Sequence, residues 1–315
     1  MMRTAAIDCG TNSIRLLIAD IEDGVLSDVV RLMRVVRLGE GVDATGRLSD
    51  AALQRTFAAA EEYAGLLREH GDPVLRFVAT SATRDAQNRQ DFVDGIRERL
   101  GVEPEVISGD EEARLSFEGA SSVLATTGEE TVLVIDLGGG STEFVAGTGG
   151  GLLASRSTDM GCVRFTERFL RSDPPVDDEI GAMRAEVGRL VDEAAAEVPL
   201  DRVTRIIGVA GSVTTVTAHA LGLPAYQPER IHGAELTLEE ITAASTDLLH
   251  LPRAERAALP YMHPGRVDVI GAGALIWSSV LERVGTATEG RVRSAVTSEH
   301  DILDGLALSI VVRDA

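Results

Sequence analysis

The sequence predicts an α/β protein built from two similar halves with a cleft between them, and three observations carry that reading. Val132–Val145, VLVIDLGGGSTEFV, reads as an apolar strand ending in Asp136, a turn of three glycines and a return strand. Ala5–Ala19, AAIDCGTNSIRLLIA, repeats the device: aligning Asp8 with Asp136 also aligns Gly10 with Gly138 and Ser13 with Ser141. Each hairpin is then followed by the same succession of strand, helix, strand, small-residue turn and helix.

In the first half, Arg31–Val36 alternates as a strand and runs into the glycine-rich LGEGVD. Ser49 is an N-cap, and Leu53, Phe57, Ala60, Ala64 and Leu67 mark one face of a helix that stops at His70-Gly71. Leu75–Ala79 is a strand whose continuation, Thr80-Ser81-Ala82-Thr83-Arg84, enters a helix with Phe92, Ile96 and Leu100 on its core face and Gly101 at its end. Glu105–Ile107 is a further strand, and Ser108-Gly109-Asp110-Glu111-Glu112 opens a helix reaching about Leu124. The polar turn Thr126–Glu130 is the predicted domain boundary.

In the second half, Leu152–Ser157 is a strand and Asp159–Arg164 opens a helix. Ile180, Met183, Val187, Leu190, Ala194 and Val198 keep helical spacing from Val176 onward. Strand Arg205–Val209 enters Ala210-Gly211-Ser212-Val213-Thr214-Thr215, the counterpart of ATSATR in the first half. Thr237 and Glu240 form a capping box. Ile270, Gly273, Trp277, Val280 and Val284 define another helix, with Gly271 and Gly273 permitting close packing. Val292–Val296 is a strand, and Ser298 with Asp301 caps a last helix carrying Ile302, Leu306 and Ile310.

Composition narrows the function. At 315 residues and 44% hydrophobic content the chain has room for two globular domains. A formal charge of -20 argues against a nucleic-acid surface. All 30 basic residues are arginine, which excludes a GxxxxGK[ST] phosphate loop and a Schiff-base lysine. Cys9 and Cys162 are far apart and fit a reducing compartment rather than a disulfide. The six histidines lack zinc-site spacing. With no leader-like opening and no apolar run of membrane-spanning length, a soluble cytoplasmic protein with no membrane partner is expected.

Glycine turns let backbone N–H groups close around an anion, and an acid at a strand end can hold a phosphate-bound divalent cation. Arg15 and Arg84 can fork onto phosphate. Phosphoryl transfer to water needs chiefly positioning, charge neutralisation and a base. Glu111 and Glu112 stand at a strand-to-helix junction, where only one of two neighbours can face a given pocket. A DxG turn also serves plain hairpins, and acids in a first helical turn also serve the dipole. Ser212 and Thr214 read equally as an N-cap and a helix residue.

IDCGTNSIRLLIAD, ATSATRDAQN, VISGDEEARLSFEGA, VIDLGGGSTEF, MGCVRFTERF and GVAGSVTTVTA, in this order, resemble the exopolyphosphatase/guanosine pentaphosphate phosphatase (Ppx/GppA) family of the actin-like ATPase superfamily. The resemblance spans Ala5 to about Ala307. It implies two ribonuclease-H-like domains, 1–125 and 126–298, with the final helix, about 299–315, able to pack back on the first. It also implies Mg²⁺-dependent hydrolysis of terminal phosphoanhydrides, with Mn²⁺ as an alternative metal, and a homodimer. Carried over by position, Glu112 resembles the catalytic base, and Asp136 and Glu143 the acids that organise metal and water. Asp8, Thr11, Asn12, Ser13, Arg15 and Arg84 match phosphate-site positions, with Gly138, Gly139, Gly140 and Ser141 and with Gly211, Ser212 and Thr214.

Longer members carry further helical domains that grip long polymers. This chain ends at Ala315 without them, which favours short polyphosphate as substrate and resembles the short two-domain exopolyphosphatases of actinobacteria. The alternatives are hydrolysis of guanosine pentaphosphate, a nucleotide-binding switch of the actin-like class, and a phosphate-transferring kinase.

Overall fold

A computed structural model describes residues 2–121 and 130–313. The chain forms two compact units, Met1–Gly119 with Ile302–Ala315, and Ala120–Asp301. Of the expected boundary turn only Glu130 is described; residues 126–129, and the expected helix end near Leu124, lie outside the described residues.

The first unit runs β1 (Met2–Cys9), β2 (Ser13–Glu22), β3 (Val25–Val35), α1 (Val42–Thr45), α2 (Asp50–Glu69), β4 (Val74–Ala79), α3 (Ser81–Asp85), α4 (Arg89–Leu100), β5 (Glu105–Val106) and α5 (Gly109–Ser121). Its sheet has the order β3-β2-β1-β4-β5, with β1, β2 and β3 antiparallel and β4 and β5 parallel to β1. Strand alternation sends Ile7, Ile14 and Leu16 to the face where Phe57, Tyr63, Phe77 and Phe92 pack. Ala6, Leu17, Ala19 and Val78 go to the other face. Ser49 caps α2 by accepting from Ala52 N at 3.2 Å, and Tyr63 of α2 donates its hydroxyl to the Ile14 carbonyl at 3.0 Å.

The helix expected to run on from ATSATR is two helices. Ala86 is extended, and Asn88 turns outward to exchange hydrogen bonds with both backbone groups of Leu48. Arg84 therefore ends a short separate turn at the tip of β4. The third strand begins at Val25, six residues before Arg31, because the hairpin Asp23-Gly24 takes up positive φ at both positions and pairs β3 with β2 from its first residue.

The second unit contains β6 (Val132–Leu137), β7 (Thr142–Thr148), β8 (Gly151–Thr158), α6 (Cys162–Phe169), α7 (Asp177–Ala195), β9 (Arg205–Val209), α8 (Gly211–Ala220), α9 (Pro228–Ile231), β10 (Glu235–Thr237), α10 (Leu238–His250), α11 (Arg253–Ala258), α12 (Ile270–Ala287) and β11 (Ser294–Thr297). Its sheet, β10-β11-β9-β6-β7-β8, repeats the order of the first unit and adds β10 at one edge. The duplication read from two hairpins is thus a duplication of whole sheets. Trp277, fully buried on α12, lies where a side chain at Gly208 would stand, so that glycine lets the helix close on β9. The Thr237–Glu240 capping box forms as expected.

The last helix, α13 (Ile302–Arg313), belongs to the first unit. Ser298 does not cap it: its hydroxyl bonds the His300 backbone in a local turn, and the helix starts only after Asp301. Leu303 and Leu306 fill the sheet face lined by Ala6, Leu17 and Val78, each such burial being worth about 1.5–3 kcal/mol. Asp304, also buried, takes the Arg31 guanidinium at 2.5 Å. Gly305 meets the Leu115 carbonyl of α5 so closely that a Cβ would collide with it. Gly305→Ala should therefore cost about 1–3 kcal/mol through forced separation of α13 from α5. An unchanged urea midpoint would show that the contact is not tight.

Candidate functional site

The turn after β1 is held by its carbonyls. Asn12 O accepts from Val36 N and Arg37 N at 3.0 and 2.9 Å, and Thr11 O accepts from Gly39 N at 2.9 Å. Gly39 must be glycine, since a Cβ there would collide with the Thr11 side chain. Gly10 N closes the turn onto Ser13 O at 2.9 Å. The amides of Thr11 and Asn12 reach no acceptor among the described residues. Thr11 Oγ1 and Asn12 Oδ1 are buried atoms without a hydrogen-bond partner, the first a possible donor and the second an acceptor. Polar atoms left in this state are costly unless a ligand or water completes them.

The turn after β6 is built on the same plan from different supports. Gly138 N bonds Ser141 O at 3.0 Å. The Gly138 carbonyl accepts from Cys162 N, and the Gly139 carbonyl from Val163 N and Arg164 N, all at the N-terminus of α6. Arg164 Nε reaches the Gly140 carbonyl at 2.7 Å. With those carbonyls consumed, the amides of Gly139, Gly140 and Ser141 have no acceptor among the described residues. Gly161 makes this docking possible, because any side chain there would strike the Gly139–Gly140 peptide. Each turn, with tied carbonyls and open amides, offers an anion what it requires.

The small-residue turns lie at the ends of the strands beside these. Thr80 N bonds Cys9 O at 3.2 Å, placing α3 next to the first glycine turn. At the corresponding corner of the second unit, Ala210 sits at φ 73° and ψ 171°, a backbone state rare for any residue with a Cβ and one that costs about 1–3 kcal/mol. Ser212 packs against Gly273 and is buried. Thr214 Oγ1 is 2.8 Å from the Tyr226 hydroxyl, which also reaches Glu299 at 2.7 Å. Burial, with the Glu299 charge, pushes the Tyr226 phenol up to about 12 and keeps it a donor. Sequence reasoning missed Tyr226 and also Arg266, whose guanidinium lies over Gly211 and bonds Thr215 Oγ1 at 3.2 Å. No local pattern around either residue could have signalled it.

The acids divide clearly. Asp8 takes Arg15 at 2.6 Å across the β1–β2 pair. Glu111 turns to Arg114 and Arg76, at 2.8 and 3.2 Å, and those guanidiniums hold its carboxyl below the usual range. Glu112 points the other way, is 8% exposed, and takes Arg84 Nη1 at 3.1 Å. The same Nη1 donates to the Ile107 carbonyl at 3.0 Å, leaving Nε and Nη2 without a protein acceptor among the described residues. The two arginines expected to fork onto phosphate, Arg15 and Arg84, are each paired with a carboxylate, Asp8 and Glu112.

Asp136 and Glu143 stand directly opposite each other on β6 and β7, both buried, with Ser157 donating to Glu143 at 2.7 Å. Two carboxylates on one sheet face repel. Among the described residues no group of three or more His, Cys, Asp or Glu side chains is placed around a metal. A facing carboxylate pair is a donor set suited to an ion such as Mg²⁺, which takes one or two protein carboxylates and draws its other ligands from water and phosphate. Cys9 and Cys162 are buried and burial raises both thiols, so neither supplies a thiolate at neutral pH.

Comparison with known proteins shows which family the chain resembles. The model of the Ppx/GppA phosphatase family matches residues 17–309. Exopolyphosphatase 2 of Mycobacterium tuberculosis is 46% identical over 98% of this chain and 99% of its own. A crystal structure of an exopolyphosphatase-like protein superposes with a TM-score of 0.94 at 46% identity, covering 98% of this chain and 97% of that one. The Aquifex aeolicus Ppx/GppA protein gives a TM-score of 0.82 at 31% identity over 99% and 98%.

Gly161→Ala should weaken pyrophosphate binding by about tenfold or more, since it pushes the open amides out of line. Equal binding in calorimetry would remove that turn from the site. His263 gives a second test. Burial, then the nearby Arg266, lowers its pKa below 6.5, so folding favours the neutral ring, whose Nδ1 accepts from Gly265 N at 3.1 Å. A depressed histidine loses its stabilising contribution as pH falls through the folded value. Between about pH 7 and about pH 5 the wild type should lose more stability than His263→Asn, which keeps the acceptor without the titration. Parallel pH curves would contradict this.

Proposed function

The chain belongs to the Ppx/GppA phosphatase family, and from that we propose that it is an exopolyphosphatase, releasing orthophosphate from the end of inorganic polyphosphate. The observation that carries the reading is the pair of glycine turns with consumed carbonyls and open amides, each in a unit that also buries carboxylates. The substrate is taken from the relatives, two of which bear the exopolyphosphatase name over nearly the full length of this chain.

In this mechanism the open amides of Thr11 and Asn12, and of Gly139, Gly140 and Ser141, bind phosphate oxygens. The Thr11 hydroxyl, which has no partner of its own, donates to the same anion. Glu112 acts as general base: it takes a proton from water as the water oxygen forms a bond to the terminal phosphorus. The bridging P–O bond breaks, its electron pair leaves with the shortened chain, and orthophosphate departs. Arg84 holds the Glu112 carboxylate at 3.1 Å with one nitrogen and turns its remaining N–H groups to phosphate. Arg15, bonded to Asp8 by Nε and Nη2, orients that acid beside the first turn.

Asp136 and Glu143 would hold Mg²⁺, or Mn²⁺ in its place, which when bound neutralises phosphate charge that amides alone do not. The family resemblance supports a homodimer acting in the cytoplasm. No helix among the described residues is long and apolar enough to cross a membrane.

The test is Mg²⁺-dependent phosphate release from short and long polyphosphate, guanosine pentaphosphate and ATP by wild type and Glu112→Gln. We expect polyphosphate to be the preferred substrate and the substitution to lower its kcat by about 10²–10⁴. Retained activity would take Glu112 out of the mechanism, and release confined to guanosine pentaphosphate would replace the substrate.

A further inference from the structure

A groove of ≈ 430 Å³ runs between α7 and α12 of the second unit, and no step of the hydrolysis uses it. Its floor on α7 is made of Gly181, Ala185 and Gly188, which share one helix face and leave the backbone nearly bare. Arg283 lies over Gly188, where a Cβ would come within 2.8 Å of its Nη2. On α12 the floor is Ser279, 4% exposed, whose hydroxyl has no hydrogen-bond partner. Its neighbour Ser278 bonds back to the Leu275 carbonyl at 3.2 Å, the ordinary solution for a helical serine. Ser279 does not take that solution.

The walls carry Arg184 and Arg283. Arg184 pairs with Glu282 at 3.3 Å and Arg283 with Asp192 at 2.9 Å, and all four side chains are 45–68% exposed. Pairs so exposed are weak and exchange readily. The groove's lining thus holds two guanidinium forks and one buried hydroxyl as donors against a single carboxylate, that of Glu282. Thr286 is spoken for, its hydroxyl bonded to the Glu282 carbonyl at 2.9 Å.

We propose that this groove binds a short condensed phosphate. A phosphate chain offers only acceptor oxygens, matches guanidinium forks bidentately and gives the Ser279 hydroxyl the partner it lacks. The cavity falls within the range of small-molecule sites and is larger than one phosphate needs. The choice of a condensed phosphate rests on the polyphosphate reading of the chain. The donor groove itself does not.

The probe is tripolyphosphate, titrated calorimetrically in EDTA so that nothing is hydrolysed. Arg184→Ala/Arg283→Ala should remove one binding event, or weaken it by about tenfold or more. Ser279→Ala should weaken the same event by a few-fold. With Mg²⁺ present, all three proteins should keep the wild-type kcat. Arg189→Ala, on α7 but outside the groove, controls for general charge. An unchanged isotherm in the natively melting double variant overturns the proposal, as does an equal loss in Arg189→Ala. Absence of phosphate release by wild type would instead count against the hydrolase reading, and the EDTA titration would still decide the groove.

Discussion

The site depends on carbonyl oxygens being tied down so that amide hydrogens are left over. A peptide that turns between two strands has both kinds of group to satisfy, and ordinary hairpins satisfy them within the turn or with water. Here the carbonyls are taken from outside the turn, by the Val36–Gly39 backbone in one unit and by the start of α6 with Arg164 in the other. What remains is a short row of N–H donors at the end of a buried strand, fixed before any ligand arrives. Gly39 and Gly161 are required for that arrangement although neither lies in a glycine turn, because each lets the supporting segment approach within peptide contact.

Around this frame the acids are sorted by their partners. Arg76, buried by β4, β5 and α13, draws Glu105 and Glu111 to one side and bonds Ser309. The next residue on the helix, Glu112, is thereby committed to the opposite side and to Arg84. The overall charge of -20 is compatible with an anionic ligand because the local donors are backbone amides and guanidiniums held at short range, where distant surface carboxylates are screened by salt. The pairs Asp8–Arg15 and Glu112–Arg84 keep each arginine from being a bare cation, and each carboxylate from being a bare anion.

Much of this was legible in the residues. The twin hairpins, the strand and helix succession and the capping at Ser49 and Thr237 follow from periodicity and local chemistry, whereas the choice of Glu112 over Glu111 came only from the family resemblance. Features set by tertiary contact were not. Nothing in ATSATRDAQN announces that Asn88 will break the helix by bonding Leu48 forty residues away in sequence. Arg266 and Tyr226 reach the Gly211–Thr215 corner from loops without motif character, and Ser298 looked like a cap until its hydroxyl was found on His300. The pairing of Arg15 with Asp8 was not legible either, because spacing does not reveal that a carboxylate lies within reach across a strand pair.

The central claim concerns particular amides, so it is best tested at those amides. With glycine labelled by ¹⁵N, tripolyphosphate and Mg²⁺ added to the Glu112→Gln protein should shift the Gly139 and Gly140 resonances most strongly. Gly138, whose N–H is already bonded to Ser141, and the open-turn glycines Gly24 and Gly71 should move little. Saturable binding that leaves Gly139 and Gly140 unmoved would contradict the account.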